Sequence, residues 1–325
     1  MPSPRKYHPH KSVLFVTLSL EEGLLLRENP LCQSIVKACL ADAQAHHPVC
    51  VCHYIVEGSH LHLIIVVENP DDVPGFIGRF KTESAHMFNR LLGRRKRTIW
   101  CEGYDSPIVL TPARALACIA YLYANPAKDN LVESIDEYPG LSSWEMFRTG
   151  RHTRQWKRFH RPAIRFLPPD AHCLRGYTRE AERLLSETRK ILPFTIRPNA
   201  WMEAFGITDL QEQEALNTKL LRCIRLREER ARRLRARRKR TVAGPDRLRA
   251  RPIDMYYRPE RSGRRMWCLA DRRRVRVPFI NALKRLIASA KRVYRKWFVG
   301  DFSEPYPLGL YPPRLPKLAE PLGAW

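Results

Sequence analysis

The feature that most constrains the fold is a pair of short apolar segments around a tight turn. Residues 49–56 and 60–67 are rich in Val, Ile and Leu, and Gly58-Ser59 separates them. Beyond its histidines, the second segment is apolar at both odd and even positions, which is typical of a strand buried on both faces. The sequence therefore predicts a hairpin whose second strand lies in the middle of a sheet.

Helical and extended segments alternate around this hairpin. The order β-α-β-β-α-β is that of a ferredoxin-like fold, so we predict an α+β chain with a ferredoxin-like domain in residues 1–140. The elements predicted around the hairpin are a strand at 13–18, a helix at 30–46, a helix at 69–92 and short strands at 98–100 and 107–110.

A third helix is bounded by clear signals at both ends. Thr111 is a good N-cap, and Pro112 suits the first helical position. Pro126 disfavours helical geometry in the residue before it, so we predict that the helix ends near Asn125. Tyr121 and Asn125 would then lie in its last turn, four residues apart and on one face.

Charge divides the chain into two parts. Lys and Arg total 58 against 33 Asp and Glu, a net charge of +25. Residues 1–150 contain 15 basic and 16 acidic side chains, whereas residues 151–325 contain 43 basic and 17 acidic side chains. Such an excess predicts a polyanionic partner, either nucleic acid or an anionic membrane surface. We therefore predict a basic, mainly helical, DNA-binding accessory region at 141–325, with helices at 177–192, 209–240 and 277–298, a loop at 243–260 and a Pro-rich tail.

Two arginine-rich segments are candidate nucleic-acid contacts. One is a turn after the second helix, and the other is the end of the helix at 209–240, where charges surround the helix. Such charge density repels itself unless a polyanion neutralises it, although an exposed loop and a disordered basic tail are alternatives. The candidate contacts are Arg94, Arg95, Lys96, Arg97, Arg232, Arg233, Arg235, Arg237 and Arg238.

His60 and His62 are the strongest local signal for chemistry. Residues two apart on a strand face the same side, so both imidazoles can converge on one metal ion. The alternative is a pair of ordinary core or surface histidines. His8 and His10 have the same spacing in a polar leader, where we expect no site.

Tyr121 and Asn125 strengthen this signal. Two neutral imidazoles and an amide oxygen form an uncharged, three-ligand site that leaves the positive charge of an ion free to polarise a phosphate oxygen. A tyrosine beside it can attack phosphorus and form a covalent phosphotyrosine. Taken singly, Tyr121 is equally a packing aromatic, and Asn125 is equally a helix-terminal residue.

These motifs resemble the HUH single-tyrosine transposases. The resemblance is closest to the REP-associated tyrosine transposases, which have a Tyr-Ile-x-x-Asn-Pro segment followed by a Leu-Val pair, and it covers roughly residues 10–140. The segments that carry it are His60-Leu-His62, Tyr121-Leu-Tyr-Ala-Asn125-Pro126, Leu131-Val132, Phe88-Asn89-Arg90 and Trp100.

The resemblance implies a DNA transposase that nicks and rejoins single-stranded, hairpin-bearing DNA. It implies that Tyr121 forms a 5′-phosphotyrosine and leaves a free 3′-hydroxyl, while His60, His62 and Asn125 hold a divalent ion, Mg²⁺ or Mn²⁺. The chain departs from the family in two ways. Tyr123 stands where many relatives carry histidine and is a rival nucleophile, and the long basic C-terminal part is absent from compact members.

Three other functions remain open from the sequence. A non-cutting nucleic-acid-binding protein would use the same scaffold without forming a covalent adduct. A replication initiator or relaxase would share the chemistry, but many carry two tyrosines or a helicase region, and this chain has no Gly-x-x-x-x-Gly-Lys-Ser/Thr loop. A zinc hydrolase would need a further histidine or carboxylate, for which Glu68 and Asp71 are poor candidates.

Cysteine usage and hydropathy indicate a reducing, aqueous compartment. Nine scattered cysteines without a Cys-x-x-Cys pair predict reduced thiols rather than a disulfide framework. No apolar run reaches the ~18 residues of a membrane helix. We expect a cytoplasmic bacterial protein that joins the nucleoid when bound to DNA, as a monomer or a homodimer.

Overall fold

The computed structural model describes residues 6–21, 26–95, 98–253 and 266–312. Lys96 and Arg97, predicted as DNA contacts, lie outside these described residues. The strands and α-helices within them are β1 (Val13–Ser19), α1 (Pro30–His46), β2 (Cys50–Glu57), β3 (His60–Val66), α2 (Asp72–Leu91), β4 (Ile108–Val109), α3 (Pro112–Lys128), α4 (Trp144–Thr149), β5 (Thr153–Lys157), α5 (Leu174–Glu187), β6 (Ile191–Thr195), α6 (Ala200–Ala204), α7 (Leu210–Arg237), α8 (Pro245–Ala250), β7 (Cys268–Leu269) and α9 (Arg273–Phe298).

A mixed five-stranded sheet forms the centre of this α+β fold. Its strand order is β2-β3-β1-β4-β7. β3 pairs antiparallel with both β1 and β2, and all of its residues after His60 are buried. The predicted central strand is therefore confirmed. The sequence did not indicate β7, which comes from the C-terminal part and pairs parallel with β4.

The two faces of the sheet are covered by different helices. Leu61 and Leu63 belong to the apolar cluster that β3 shares with α1 and α2. Ile64 belongs to a second cluster, which includes α3. Because side chains alternate along a strand, His60 and His62 face the α3 side together with Ile64.

α7 forms a further layer outside α3. Leu220 and Ile224 of α7 are buried in the same apolar cluster as Ile119 and Leu122 of α3. Both predicted regions, 1–140 and 141–325, contribute side chains to this cluster. The basic C-terminal part thus packs directly on the helix that carries Tyr121.

The start of α3 agrees with the prediction, and its end does not. Thr111 caps the helix, since its side chain accepts a hydrogen bond from the Arg114 N–H at 3.2 Å. The predicted end at Asn125 is wrong, because α3 continues to Lys128 with Pro126 inside it. Pro126 has no N–H to donate to the carbonyl of Leu122, so α3 continues past it with one backbone hydrogen bond missing. The additional residues bring Lys128 onto the same helix as Tyr121.

The C-terminal elements agree in part with the sequence. The long helices predicted at 209–240 and 277–298 correspond to α7 and α9. The helix predicted at 177–192 is shorter, because α5 ends at Glu187 and β6 follows, pairing with β5 in a separate two-stranded sheet. The loop predicted at 243–260 contains α8, and its last seven residues lie outside the described ranges. Among the described residues, no helix combines the length and apolar character needed to span a bilayer.

Candidate active site

His60 and His62 lie at the start of β3, close to the C-terminal half of α3. Their ring centroids are 4.4 Å apart, and His62 is only 6% exposed. In the antiparallel register, Ser19 of β1 stands opposite His60 and Thr17 stands opposite His62. The two-residue spacing on a strand thus brings both rings to one side of the sheet.

A neighbouring hydroxyl group lies within hydrogen-bond distance of the Nδ1 atom of each ring. Ser59 Oγ lies 2.9 Å from His60 Nδ1, and Thr17 Oγ1 lies 2.9 Å from His62 Nδ1. When Nδ1–H donates to the hydroxyl oxygen, Nε2 keeps the lone pair that can bind a metal ion. Contacts of this kind also fix the orientation of metal-binding histidines.

Burial keeps both imidazoles neutral. Desolvation lowers the pKa of His60 to about 4, with Asp129 opposing the change and Lys128 adding to it. Desolvation also lowers the pKa of His62 well below its usual value, and so does repulsion between the protonated forms of His62 and His60 and from Lys128. Both rings are therefore in the deprotonated form that metal binding requires.

α3 presents Tyr121 and Asn125 to these rings. Asn125 Nδ2 lies 3.1 Å from His60 Nε2, and the Tyr121 ring centroid lies 5.9 Å from that of His62. Asn125 is 1% exposed, whereas Tyr121 is partly open to solvent. The four residues singled out in the two sequence motifs therefore meet in one cleft between β3 and α3.

Lys128 also belongs to this cleft, and the sequence analysis missed it. Its Nζ lies 3.4 Å from Tyr121 Oη and 3.3 Å from Asn125 Oδ1. Partial burial lowers the pKa of Lys128, but Asp129 and Tyr121 outweigh burial and raise it, so the amine is charged at neutral pH. The signal that could have found it is spacing, because Lys128 stands seven residues after Tyr121 and three after Asn125.

Tyr123, the rival nucleophile, is buried on another side of α3. Its side chain is 0% exposed, and its hydroxyl oxygen lies 2.8 Å from both His53 Nδ1 and Ser143 Oγ. Burial raises the pKa of Tyr123 above its usual value. A hydroxyl enclosed in this way is not accessible from the cleft, so Tyr121 is the tyrosine of the pair that faces the cleft.

Glu57 is a second residue that sequence reasoning missed. The β2–β3 register places it opposite His60, and it is 3% exposed. Desolvation, reinforced by repulsion from Asp129, raises the pKa of Glu57 well above its usual value. Burial thus disfavours a negative charge on Glu57, opposite His60 in the sheet.

The donors of the cleft fit a divalent cation. They are two neutral imidazoles and the side-chain amide of Asn125, whose nitrogen and oxygen are interchangeable by a half-turn of the amide. Imidazole and amide oxygen together suit ions such as Mn²⁺ and Mg²⁺, and imidazole alone favours softer ions. Among the described residues, no group of three His, Cys, Asp or Glu is arranged to hold a metal. Glu68, considered above as a zinc ligand, follows the opposite end of β3 and pairs with Arg197 at 2.7 Å.

Arg235 does not face solvent, contrary to the expectation that it contacts nucleic acid. It is 4% exposed. Its guanidinium forms an ion pair with Glu133 and donates a hydrogen bond to the Ala127 carbonyl at 2.6 Å. These bonds join the end of α7 to the end of α3, so Arg235 is part of the packing between the two helices.

The other described arginines of the two basic segments lie nearer the surface. Arg232 pairs with Glu133 at 3.2 Å, Arg233 pairs with Glu229, and both are exposed. Arg94 is partly buried. The remaining members, Arg95, Arg237 and Arg238, are exposed.

Comparisons with known proteins place few constraints on function. No family model matches the chain, and no curated protein is similar to it. A solved structure of a REP-associated tyrosine transposase bound to a REP hairpin is similar to part of it, with 18% sequence identity and a TM-score of 0.38. The match covers 46% of this chain and 86% of that chain. A likeness of this size does not decide a function, which must come from the residues of the cleft.

Proposed function

We propose that this protein is a metal-dependent DNA strand transferase, of the transposase type, that cuts and rejoins single-stranded DNA through Tyr121. The supporting observation is the meeting of Tyr121 with His60, His62 and Asn125 in one cleft. We also propose that the sheet and its covering helices form a ferredoxin-like domain, since the strand order β2-β3-β1-β4 and the element order both agree with that arrangement.

The proposed reaction exchanges one phosphoester for another. Attack by Tyr121 Oη on phosphorus forms a phosphotyrosine bond to the 5′-phosphate of the downstream strand as the bond from phosphorus to the 3′-oxygen of the upstream strand breaks. The phenol proton passes to solvent, and the departing 3′-oxygen gains a proton and becomes a hydroxyl. Attack by a 3′-hydroxyl reverses these steps, so rejoining needs no external energy source.

The side chains of the cleft have separate roles in this proposal. His60, His62 and Asn125 would hold a divalent cation, Mg²⁺ or Mn²⁺, whose chemistry is to polarise a phosphate oxygen. Lys128 lies beside Tyr121 Oη, where its charge can offset the negative charge that develops on the attacked phosphate. Phe15 contacts the rings of both His62 and Tyr121, which limits their movement.

The proposed partner is DNA, single-stranded and bearing hairpins. The excess of basic side chains lies in the part of the chain that follows residue 150, so most phosphate contacts should come from α7 and α9. Binding that depends on phosphate contacts weakens steeply as salt is added. Exposed arginines such as Arg237 and Arg238 are proposed contacts of this kind.

A trapping experiment tests the proposal. The full chain is incubated with hairpin-bearing single strands that are labelled at the 3′ end and have randomised flanks, with Mg²⁺ or Mn²⁺ and in parallel with a chelator. We expect a DNA–protein band that survives a denaturing gel and disappears with the chelator. A non-cutting binding protein would retard the same DNA in a native gel without ever giving that band, and this result would overturn the proposal.

A further inference from the structure

A groove of about 850 Å³ lies between α3 and α7. Leu116 and Ala124 of α3 line it on one side, and Leu226 and Leu234 of α7 line it on the other. Leu226 is 56% exposed and Leu234 is 42% exposed, so their apolar surfaces remain open although their helix packs on α3. The two leucines are eight residues apart, about two helical turns, and therefore lie on one face of α7.

The rim of this groove is basic. Lys128 from α3 and Lys219, Arg227 and Arg230 from α7 line it, and the described residues contribute no acidic side chain to the lining. Lys219, Arg227 and Arg230 are all exposed. Arg227 reaches across the groove, where its guanidinium donates to the Ala117 carbonyl at 3.4 Å. Lys128 pairs with Asp129 at 3.3 Å. An apolar floor with a rim of basic side chains suits a ligand that combines flat apolar groups with a polyanionic backbone.

The groove is continuous with the candidate active site. Tyr121 and Lys128 line the groove and also belong to the cleft with His62 and Asn125. We propose that the groove binds the unpaired DNA strand that flanks the phosphate attacked by Tyr121. The bases would lie over the leucine floor and the phosphates would contact the rim. This assignment rests on the proposed function. It means that the bound strand would contact both α3 and α7.

A single strand suits the groove better than a duplex or a peptide. A duplex keeps its base faces stacked inside and presents mainly charged backbone, which would leave Leu226 and Leu234 exposed. An amphipathic helix would cover the leucines, but it would need several acidic residues to match the rim. A single strand supplies unstacked bases and phosphates together, and its binding to a basic groove requires no particular base sequence.

Cys223 provides a direct probe of groove occupancy. It lines the groove and is partly exposed, whereas Cys173 is exposed just before α5 and serves as an internal control. The full-length Tyr121→Phe protein, which keeps the ring but forms no adduct, is treated with N-ethylmaleimide with and without oligodeoxythymidine of about 20 nucleotides. With the strand at about ten times its Kd, we expect Cys223 alkylation to slow roughly tenfold. Cys173 alkylation should not change.

A matched pair of double variants tests the rim. Arg227→Gln with Arg230→Gln removes two rim charges. Arg222→Gln with Arg225→Gln removes two exposed charges of the same spacing on the same helix, neither of which lines the groove. We expect the rim variant to weaken binding at least about tenfold and to reduce the salt slope by about 1.4, since each single-strand phosphate contact contributes about 0.7. The affinity of the control variant for the strand should stay within about threefold of that of the parent protein.

Adduct formation by the unmodified chain, measured on the hairpin pool, separates this inference from the proposed function. Protection of Cys223 without any adduct supports the groove and overturns the cutting activity. An adduct with full alkylation of Cys223 supports the cutting activity and overturns the groove. Equal weakening of binding by the two arginine variants also overturns the groove, as does protection by an acidic peptide but not by DNA.

Discussion

Lys128 Nζ lies 3.4 Å from Tyr121 Oη and 5.2 Å from the centroid of the Tyr121 ring. The contact joins residues two helical turns apart and exists because α3 continues past Pro126. The contact places the protonated amine of Lys128 beside the hydroxyl that would attack phosphorus. Asn125, which contacts Lys128, also meets His60.

Removing this charge should slow covalent adduct formation. In the Lys128→Ala variant, we expect single-turnover adduct formation to fall about 10- to 100-fold, equivalent to about 1.4–2.7 kcal/mol of transition-state stabilisation. The physical reason is the loss of the cation next to the attacked phosphate. The rate is measured on denaturing gels with protein in excess over the labelled strand.

Two further variants make the Lys128 test specific. Lys128→Arg keeps the charge and should recover much of the rate of adduct formation. Lys190→Ala removes an exposed lysine between α5 and β6 and should leave this rate unchanged. An unchanged rate in Lys128→Ala would show that Lys128 plays no part in the chemistry.

The hydroxyl of Thr17 should tune metal binding through His62. Thr17 Oγ1 lies 2.9 Å from His62 Nδ1, and losing such a contact typically costs 10- to 100-fold in metal affinity, so we expect a loss of about that size in Thr17→Val. Thr17→Ser retains the hydroxyl and should bind normally. Calorimetric titration with Mn²⁺ measures the affinity, and equal affinity of all three proteins would contradict this role.

Arg235 should matter for stability more than for DNA binding. Its guanidinium is buried against Glu133 and the Ala127 carbonyl, and removing it takes one buried donor from each acceptor and leaves the space of the side chain unfilled. We expect Arg235→Ala to lower the free energy of unfolding by about 2–4 kcal/mol. Arg237→Ala, at an exposed position of the same helix, should change it by less than about 0.5 kcal/mol. Urea denaturation measures both, and similar values for the two variants would refute the structural role.

Protonation of His53 should destabilise the fold in acid. Burial lowers the pKa of His53 to about 3, whereas an unfolded chain has a histidine pKa near 6.5. Above pH 6.5 neither state is protonated at this site. Between pH 6.5 and 3 the unfolded state binds the proton more tightly, so stability falls with decreasing pH by up to about 1.4 kcal/mol per unit.

The His53→Gln variant isolates this contribution. Denaturant unfolding is measured at several pH values for both proteins, because buried carboxyls such as Glu28, whose pKa is raised, act in the opposite direction in both. We expect the stability difference between the two proteins to shrink as the pH falls below 6.5. A constant difference would mean that His53 does not titrate on unfolding.

Local patterns in the sequence were sufficient to predict the parts of the site that depend on local geometry. The turn at Gly58-Ser59 and the apolar strand after it correctly predict that His60 and His62 share one side of a central strand. The cap at Thr111 correctly predicts the start of α3. These features depend on residues close together in the chain, where strand alternation and capping preferences are reliable.

Features that depend on distant residues could not be predicted in this way. Arg235 belongs to a dense run of arginines, and only its packing against Glu133, 102 residues earlier, shows that it is internal. β7 is two residues long and extends the sheet only because it pairs with β4. Lys128 was overlooked because Pro126 suggested that the helix had already ended, whereas α3 continues past the proline to Lys128.

The most direct test of the account identifies the residue that becomes attached to DNA. The adduct formed on the hairpin pool is digested with nuclease and protease, and mass spectrometry locates the nucleotide-bearing peptide and residue. We predict attachment at Tyr121 and loss of the adduct in Tyr121→Phe. The adduct should persist in Tyr123→Phe, because the hydroxyl that this substitution removes is buried against His53 and Ser143. Attachment at any other residue, or an undiminished adduct in Tyr121→Phe, would contradict the account.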